Sequence, residues 1–225
     1  YGVMDQAEIY KKWFAIHKVT QEELDNQKKA KFDYEPKISI IVPTYNTPVK
    51  YLEEMIQSVI DQSYSNWQLC IADGSCGNAK LEKVLEEYHN KDSRIIYKLL
   101  DSNKGIAGNT NAALELADGE ITGLLDHDDT LEPDALYEVV KAFQDKLVDA
   151  VYTDEDKILG PDWINVDPNF KPDYNIDLLR SHNYITHFFC VKTELLKEIG
   201  GFKAEYDGAQ DYDVILRCTE KARKT

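Results

Sequence analysis

The run Ile121-Thr122-Gly123-Leu124-Leu125-Asp126-His127-Asp128-Asp129 decides how this chain is read. A short, mostly apolar strand ends abruptly on four polar residues, three of them carboxylates. The same pattern recurs upstream, where Ile38–Val42 closes on Pro43-Thr44-Tyr45-Asn46 and Trp67–Ala72 ends on Asp73-Gly74-Ser75. A further strand is expected over Arg94–Leu100. Between the strands, apolar residues recur at helical spacing: Met55, Ile56, Val59 and Ile60, then Leu81, Val84, Leu85 and Tyr88. A small-residue helix over 107–117 buries Ala112, Ala113 and Leu116. Strands alternating with helices of this length predict an α/β fold, with a mostly parallel sheet flanked by helices and built from right-handed crossovers. Ligands of such sheets bind beyond the carboxyl ends of the strands. The three polar strand ends should therefore meet in one crevice.

Downstream, Leu136, Val139, Val140 and Phe143 mark another helix, and Ala150–Tyr152 a strand ending in Thr153-Asp154-Glu155-Asp156. Residues 157–175, rich in Pro, Gly, Asn and Asp, are expected to form a loop or lid. Tyr184–Lys192 reads as a strand, Glu194–Ile199 as a short helix stopped by Gly200-Gly201, and Gln210 to the end as a last helix. At the other end, Ile9, Trp13, Phe14 and Ile16 trace a helix over 5–17, and Thr20-Gln21-Glu22-Glu23 is a capping box opening a second. The expected organisation is an N-terminal helical arm over 1–35 and one domain over 36–225. That domain stops within a helical pattern and is expected to be truncated at its C-terminal end.

The 225 residues suffice for one sizeable domain, and 43% apolar composition supplies a core, which excludes disorder. A net charge of −15 and the absence of a Lys/Arg run argue against nucleic acid as a partner. An anionic diphosphate ligand would then need a local source of positive charge. The four cysteines form no CxxC pair and have no partnered His spacing, so they read as free thiols in a reducing, cytoplasmic setting. No apolar run is long enough to span a bilayer. Peripheral association with the inner face of a membrane would depend on regions outside this chain.

Three carboxylates at one strand end repel one another unless a cation sits among them. Hard oxygen ligands select Mg²⁺ or Mn²⁺, held jointly with substrate phosphates. The plainer reading of Asp126–Asp129 is a solvated turn capping the next helix. His127 is expected to point away from these carboxylates if the segment stays extended, and has no ligand role. Asp73, followed by a glycine that permits close approach, suits a base or ribose contact, and an ordinary Asx turn fits equally well. Tyr45 is placed to stack on a base. Asp211 opens the last helix, where Asp is commonly a cap. Asp213 and Arg217, four residues apart, read as a helix ion pair.

Taken together, Pro43-Thr44-Tyr45-Asn46, Asp73-Gly74-Ser75, Asn103-Lys104-Gly105 with Asn109 and Asn111, Asp126–Asp129, and Gly208-Ala209-Gln210-Asp211 before Arg217 resemble the family 2 glycosyltransferases of bacteria. The match covers roughly residues 36–223. The resemblance implies the Rossmann-like GT-A fold and inversion at the anomeric carbon. It assigns Pro43, Thr44, Tyr45, Asn46, Asp73, Asn109 and Asp126 to the nucleotide-sugar donor, with Asp73 on the base and Asp126 on the ribose side. Asp128 corresponds to the metal ligand of the DxD motif, and Asp211 to the general base. Gln210 stands where the family has a Glu. Asp154, Glu155 and Gln210 are candidate contacts to the acceptor or the donor sugar. Tyr152–Asp156 and Asn169-Phe170-Lys171-Pro172 resemble the branch that makes cell-surface polysaccharides, often with rhamnose or related sugars. The implied partners are a nucleotide-diphospho-sugar and a glycan or lipid-linked acceptor, with Mn²⁺ or Mg²⁺ as cofactor. Many relatives supply a further metal-binding His beyond the last helix, past Thr225. Two rival readings are a catalytically silent nucleotide- or glycan-binding module and a phosphotransferase using Asp126 as nucleophile.

Overall fold

The computed structural model describes residues 6–160 and 164–225. Residues 1–5 of the arm and 161–163 of the expected lid lie outside the described residues.

Four parallel strands form the centre: β1 (Ile38–Thr44), β2 (Trp67–Asp73), β3 (Ile95–Leu99) and β4 (Ile121–Leu124). The helices α3 (Val49–Ile60), α4 (Ala79–Lys91) and α5 (Gly105–Leu114) connect them. After α6 (Ala135–Ala142) come two antiparallel additions, β5 (Ala150–Tyr152) and β8 (Phe189–Lys192), the latter flanked by the short helices α7 (Ile176–Ser181) and α8 (Thr193–Glu198). The sheet order is β3-β2-β1-β4-β8-β5.

The inner strands are buried on both faces, as parallel strands covered by helices must be. Alternate residues sort cleanly between the two sides. Ile38, Ile40 and Val42 of β1, with Trp67, Leu69 and Ile71 of β2, pack against Leu52, Met55, Leu85, Leu136 and Val140. Ile41, Cys70 and Ala72 face the other way, toward Ala107, Ala113, Phe189, Val214 and Ile215. Two of these, Val214 and Ile215, lie on α9 (Gln210–Lys221), as does Cys218 of the same cluster. Cys70, Cys190 and Cys218 are buried free thiols and Cys76 is exposed and free.

Three expectations change. The segment 157–175 is not a structureless lid, because β6 (Glu155–Leu159) and β7 (Ile164–Asn169) pair antiparallel there as a separate ribbon. The strand expected over 184–192 is formed only by β8, and residues before it turn sharply, with Thr186 at φ 41°. The last helix stops at Lys221; beyond it the chain runs back beside β5, where the Asp149 N–H donates to the Lys224 carbonyl at 2.9 Å.

The arm folds onto its own domain. In α1 (Gln6–His17), the Tyr10 hydroxyl donates to Asp156 at 2.6 Å and Trp13 meets Phe170 edge-on at 4.8 Å. In α2 (Gln21–Gln27), Thr20 and Glu23 form the expected capping box, and Ser63 donates to Gln27 at 2.7 Å. Among the described residues, no helix is long and apolar enough to cross a membrane.

The C-terminal return is tied down by Asp149, which is 7% exposed. Its carboxylate accepts from Arg223 Nη2 at 2.7 Å, Arg223 Nε at 2.8 Å and Lys192 Nζ at 2.8 Å. These partners, Arg223 first, hold its pKa far below the usual carboxylate range. A depressed carboxyl stabilises the fold above its unfolded pKa, and that contribution is lost as pH falls through the folded value. Asp149→Asn should cost about 2 kcal/mol at pH 7. The deficit should shrink once pH drops below about 4. Denaturant melts at pH 7 and pH 3 check this; an equal deficit at both would contradict it.

Candidate active site

The parallel register brings the polar strand ends together. Thr44 pairs with Asp73 across β1 and β2, and Ile41 with Leu124 across β1 and β4. Asp126 therefore emerges on the same edge as Asp73.

Asp73 is 2% exposed, and its Oδ1 accepts from Thr44 Oγ1 at 2.8 Å, Ser75 Oγ at 2.6 Å and the Ser75 N–H at 3.3 Å. Among the described residues every hydrogen bond to the Asp73 carboxylate falls on that one oxygen. Asn46, at φ 50°, donates its N–H to Ser75 Oγ at 2.7 Å, which locks the two loops together. Gly74 leaves room for Asn109 here: a Cβ would come within 2.7 Å of Asn109 Nδ2 and displace that side chain. Asn109 is buried and holds the loop before α5, accepting from the Lys104 N–H at 3.1 Å and donating to Asn103 at 3.0 Å.

Thr44, Asn103 and Asn109 line a cavity of about 200 Å³, and Asp73 lies behind Thr44 through their hydrogen bond. Pro43, Asp126, His127 and Asp128 also line it, together with Tyr45, which is half exposed. Asp126, Pro43 and Ile106 also border a smaller chamber of about 30 Å³, closed by Thr186, His187, Gln210 and Asp211. Asp126 thus stands at the junction of two chambers, deep in the crevice with its side chain still 45% open.

Asp126 to Asp129 is not extended. The Asp129 N–H donates to the Asp126 carbonyl at 3.3 Å and closes a turn. His127 consequently does not point away from the carboxylates: its Nδ1 lies 3.5 Å from Asp128 Oδ1, out of hydrogen-bonding geometry. The turn separates the acidic residues. Asp128 is more than half exposed on the cavity wall. Asp126 and Asp129 instead face His187, and one ligand atom from each of the three lies within 4.8 Å of the others. His187 Nε2 is 3.6 Å from Asp126 Oδ2.

Burial raises the pKa of Asp126 above the usual carboxylate value; His187 opposes the rise, and the charges of Asp128 and Asp211 add to it. Asp129 is raised in the same way, chiefly by burial and then by Asp126 and Asp128, against His187. Two carboxyls held above their usual range beside an imidazole form a donor set that a divalent cation fits.

Asp211 sits in the first turn of α9, where its Oδ2 accepts from Asn183 Nδ2 at 3.0 Å. Gln210 uses its Oε1 to accept the Gly208 N–H at 2.9 Å while lining the small chamber. Asp213 and Arg217 form the expected ion pair, and Arg217 also donates to the carbonyls of Ile199 and Gly201 at 2.8 Å. Asp154 and Glu155 are engaged within the protein. Asp154 accepts the Lys171 N–H at 2.7 Å, and Glu155 accepts from Thr186, His187, Asn169 and Lys171.

The sequence reading overlooked His187, Thr186 and Asp207. Asp207 accepts the Ala107 N–H at 3.1 Å and so caps α5 from a hundred residues away. The available signal for the first two was the polar pair Thr186-His187 interrupting an apolar run.

The fold and the crevice define a GT-A-type α/β protein with its site at the strand ends. The chain belongs to glycosyl transferase family 2, whose family model matches residues 39–200. The uncharacterized protein y4gI of Sinorhizobium fredii is 44% identical over 190 residues, covering 84% of this chain and 21% of that protein. The O-antigen biosynthesis protein RfbC of Myxococcus xanthus is 34% identical over 213 residues, covering 94% and 16%. The chain thus spans about a fifth or less of the length of these two relatives. Among solved structures, TarS 1-349 of S. aureus superimposes with a TM-score of 0.68 at 25% identity, covering 84% of this chain and 56% of that one. TarS 1-349 in complex with UDP-GlcNAc gives 0.65 at 25% identity, covering 81% and 53%.

A carboxyl with a raised pKa stabilises the fold only below its unfolded value, and that contribution is lost as pH rises through the folded value. Asp129→Asn should therefore melt at a higher temperature than the unsubstituted chain at pH 7.5 in chelator. The gain should disappear below about pH 4, where both forms are neutral. Added Mn²⁺ should reverse the order by stabilising only the chain that keeps Asp129. A variant melting lower than the parent in chelator would contradict the assignment.

Proposed function

We propose that this domain is a metal-dependent, inverting glycosyltransferase that moves a sugar from a nucleotide-diphospho-sugar to a glycan or lipid-linked acceptor during cell-surface polysaccharide synthesis. The observation that carries the reading is the position of Asp126, which lines both the cavity of about 200 Å³ and the small chamber lined by Asp211. The names of RfbC, an O-antigen biosynthesis protein, and of chondroitin synthase from Pasteurella multocida, 33% identical over 189 residues, support the substrate class. The complex of TarS with UDP-GlcNAc supports a nucleotide-sugar donor.

In this reading Asp73 receives the base. Its Oδ1 is saturated by Thr44 and Ser75, so Oδ2 is the acceptor left for a base N–H. Tyr45, half exposed in the cavity lining, stacks on the base. Asp126, Asp129 and His187 would hold the cation, and Asp128 would contact it or the diphosphate. An imidazole beside two carboxylates suits Mn²⁺ better than Mg²⁺. When bound, the cation supplies charge neutralisation for the departing nucleoside diphosphate. It also explains how a chain of net charge −15 accepts an anionic donor.

Asp211 removes the proton from the acceptor hydroxyl as that oxygen attacks the anomeric carbon from the face opposite the leaving group. Asn183 orients it through the bond to Oδ2, leaving Oδ1 for the acceptor. The apolar lining of the small chamber, including Ile106, Leu124 and Phe202, limits water near the reacting carbon.

General-base catalysis of this kind contributes about 10²–10⁴-fold. Asp211→Asn should lower the rate of sugar transfer by that factor while leaving donor affinity within about twofold. Transfer assays paired with calorimetric donor binding check this. An Asp211→Asn protein with a near-normal rate would remove Asp211 as the base. Donor binding without transfer or donor hydrolysis in the unsubstituted chain would favour a silent binding module.

A further inference from the structure

Lys171 is a buried cation with no part in the proposed reaction. Lys171 follows β7, and its side chain is 1% exposed. Buried lysines are rare unless their ammonium is fully engaged. Here Nζ donates to the Ile185 carbonyl at 2.6 Å, to the His187 carbonyl, and to Glu155 Oε2 at 3.2 Å. Two of its three acceptors therefore flank Thr186.

Glu155 grips the same turn from its other groups. Its carboxylate accepts from Thr186 Oγ1 at 2.8 and 2.9 Å and from the His187 N–H at 3.1 Å, with Asn169 Nδ2 at 3.0 Å steadying it. Asp154 fixes the lysine backbone by accepting its N–H at 2.7 Å. Thr186 sits at φ 41°, a conformation β-branched residues avoid, so neighbouring contacts must hold it there. The side chain this turn projects is His187, 3.6 Å from Asp126.

We infer that Lys171 and Glu155 are positioning residues: together they hold the Thr186–His187 turn so that the His187 imidazole faces Asp126 and Asp129. The inference rests on the cation site proposed above. It gives the β6–β7 ribbon a role at the active site, since Glu155 opens β6 and Lys171 lies two residues after β7 ends. The ion pair acts on the site through the backbone of one turn, without touching donor or acceptor.

The test is Mn²⁺ affinity of the full chain without nucleotide, followed by calorimetry or by electron paramagnetic resonance of the free ion. Supporting partners of metal-bound histidines typically contribute 10–100-fold to metal affinity. Lys171→Met and Glu155→Gln should each weaken Mn²⁺ binding by about tenfold or more, approaching the loss in His187→Ala. In the double variant Lys171→Met/His187→Ala the losses should not add, because both act through one imidazole. Thr186→Val, which deletes a single hydroxyl, keeps the test valid if Lys171→Met does not fold, and should shift affinity in the same direction. Unchanged Mn²⁺ affinity in folded Lys171→Met, Glu155→Gln and Thr186→Val, with loss in His187→Ala, would overturn the positioning role and leave the cation site standing. Additive losses would do the same. No effect of His187→Ala, or no Mn²⁺ binding by the unsubstituted chain, would overturn the inference together with the cation site; the transfer assay on Asp211→Asn judges the glycosyltransferase reading separately.

Discussion

The site depends first on the parallel register of β2, β1 and β4. Because Thr44 lies opposite Asp73, its hydroxyl can saturate one oxygen of that carboxylate. Because Ile41 lies opposite Leu124, the acidic turn starts two residues later on the same edge. A one-residue slip in either ladder would turn every side chain to the opposite face. Ile40 would then leave the Leu52–Met55 side and Ile41 the Ala107–Val214 side, so core packing on two faces enforces the geometry at the strand ends. The small residues of α5 allow close approach beneath β1 and β2, and Gly74 allows Asn109 to close the cavity.

That convergence creates an electrostatic problem which the chain only partly solves. Asp126, Asp128, Asp129 and Asp211 approach one another in a crevice where burial penalises charge. His187 opposes the rise in pKa at both Asp126 and Asp129. A carboxylate cluster of this kind relaxes either by binding protons or by binding a cation. The second outcome links the fold to the chemistry, since a bound cation would turn a region that repels phosphates into one that attracts them.

Much of the sheet was legible because its strands are continuous apolar runs, which parallel burial produces and few other arrangements do. Asp73 and Asp126 were legible for the same reason: each ends such a run. The β6–β7 ribbon was not, because Glu155-Asp156-Lys157 and Asn165-Val166-Asp167-Pro168 carry loop composition and the ribbon is held by pairing and by α1. The turn before β8 was hidden within an apolar run, because its conformation comes from Lys171 and Glu155, far away in sequence. The pairing of Asp129 rather than Asp128 with His187 follows from that turn and from the one at Asp126, neither of which has a local code. Asp154 and Glu155 show the converse: acidic residues at a strand end, read as candidate sugar contacts, spend hydrogen bonds on the protein itself.

The central claim is that the strand-end crevice binds a nucleotide-sugar through a divalent cation. The most direct measurement is calorimetric binding of UDP-, GDP- and dTDP-sugars with Mn²⁺ and again in chelator. Saturable binding of one nucleotide class that requires Mn²⁺ is the predicted result. Failure of every donor to bind, or equal affinity with and without the metal, would contradict the account.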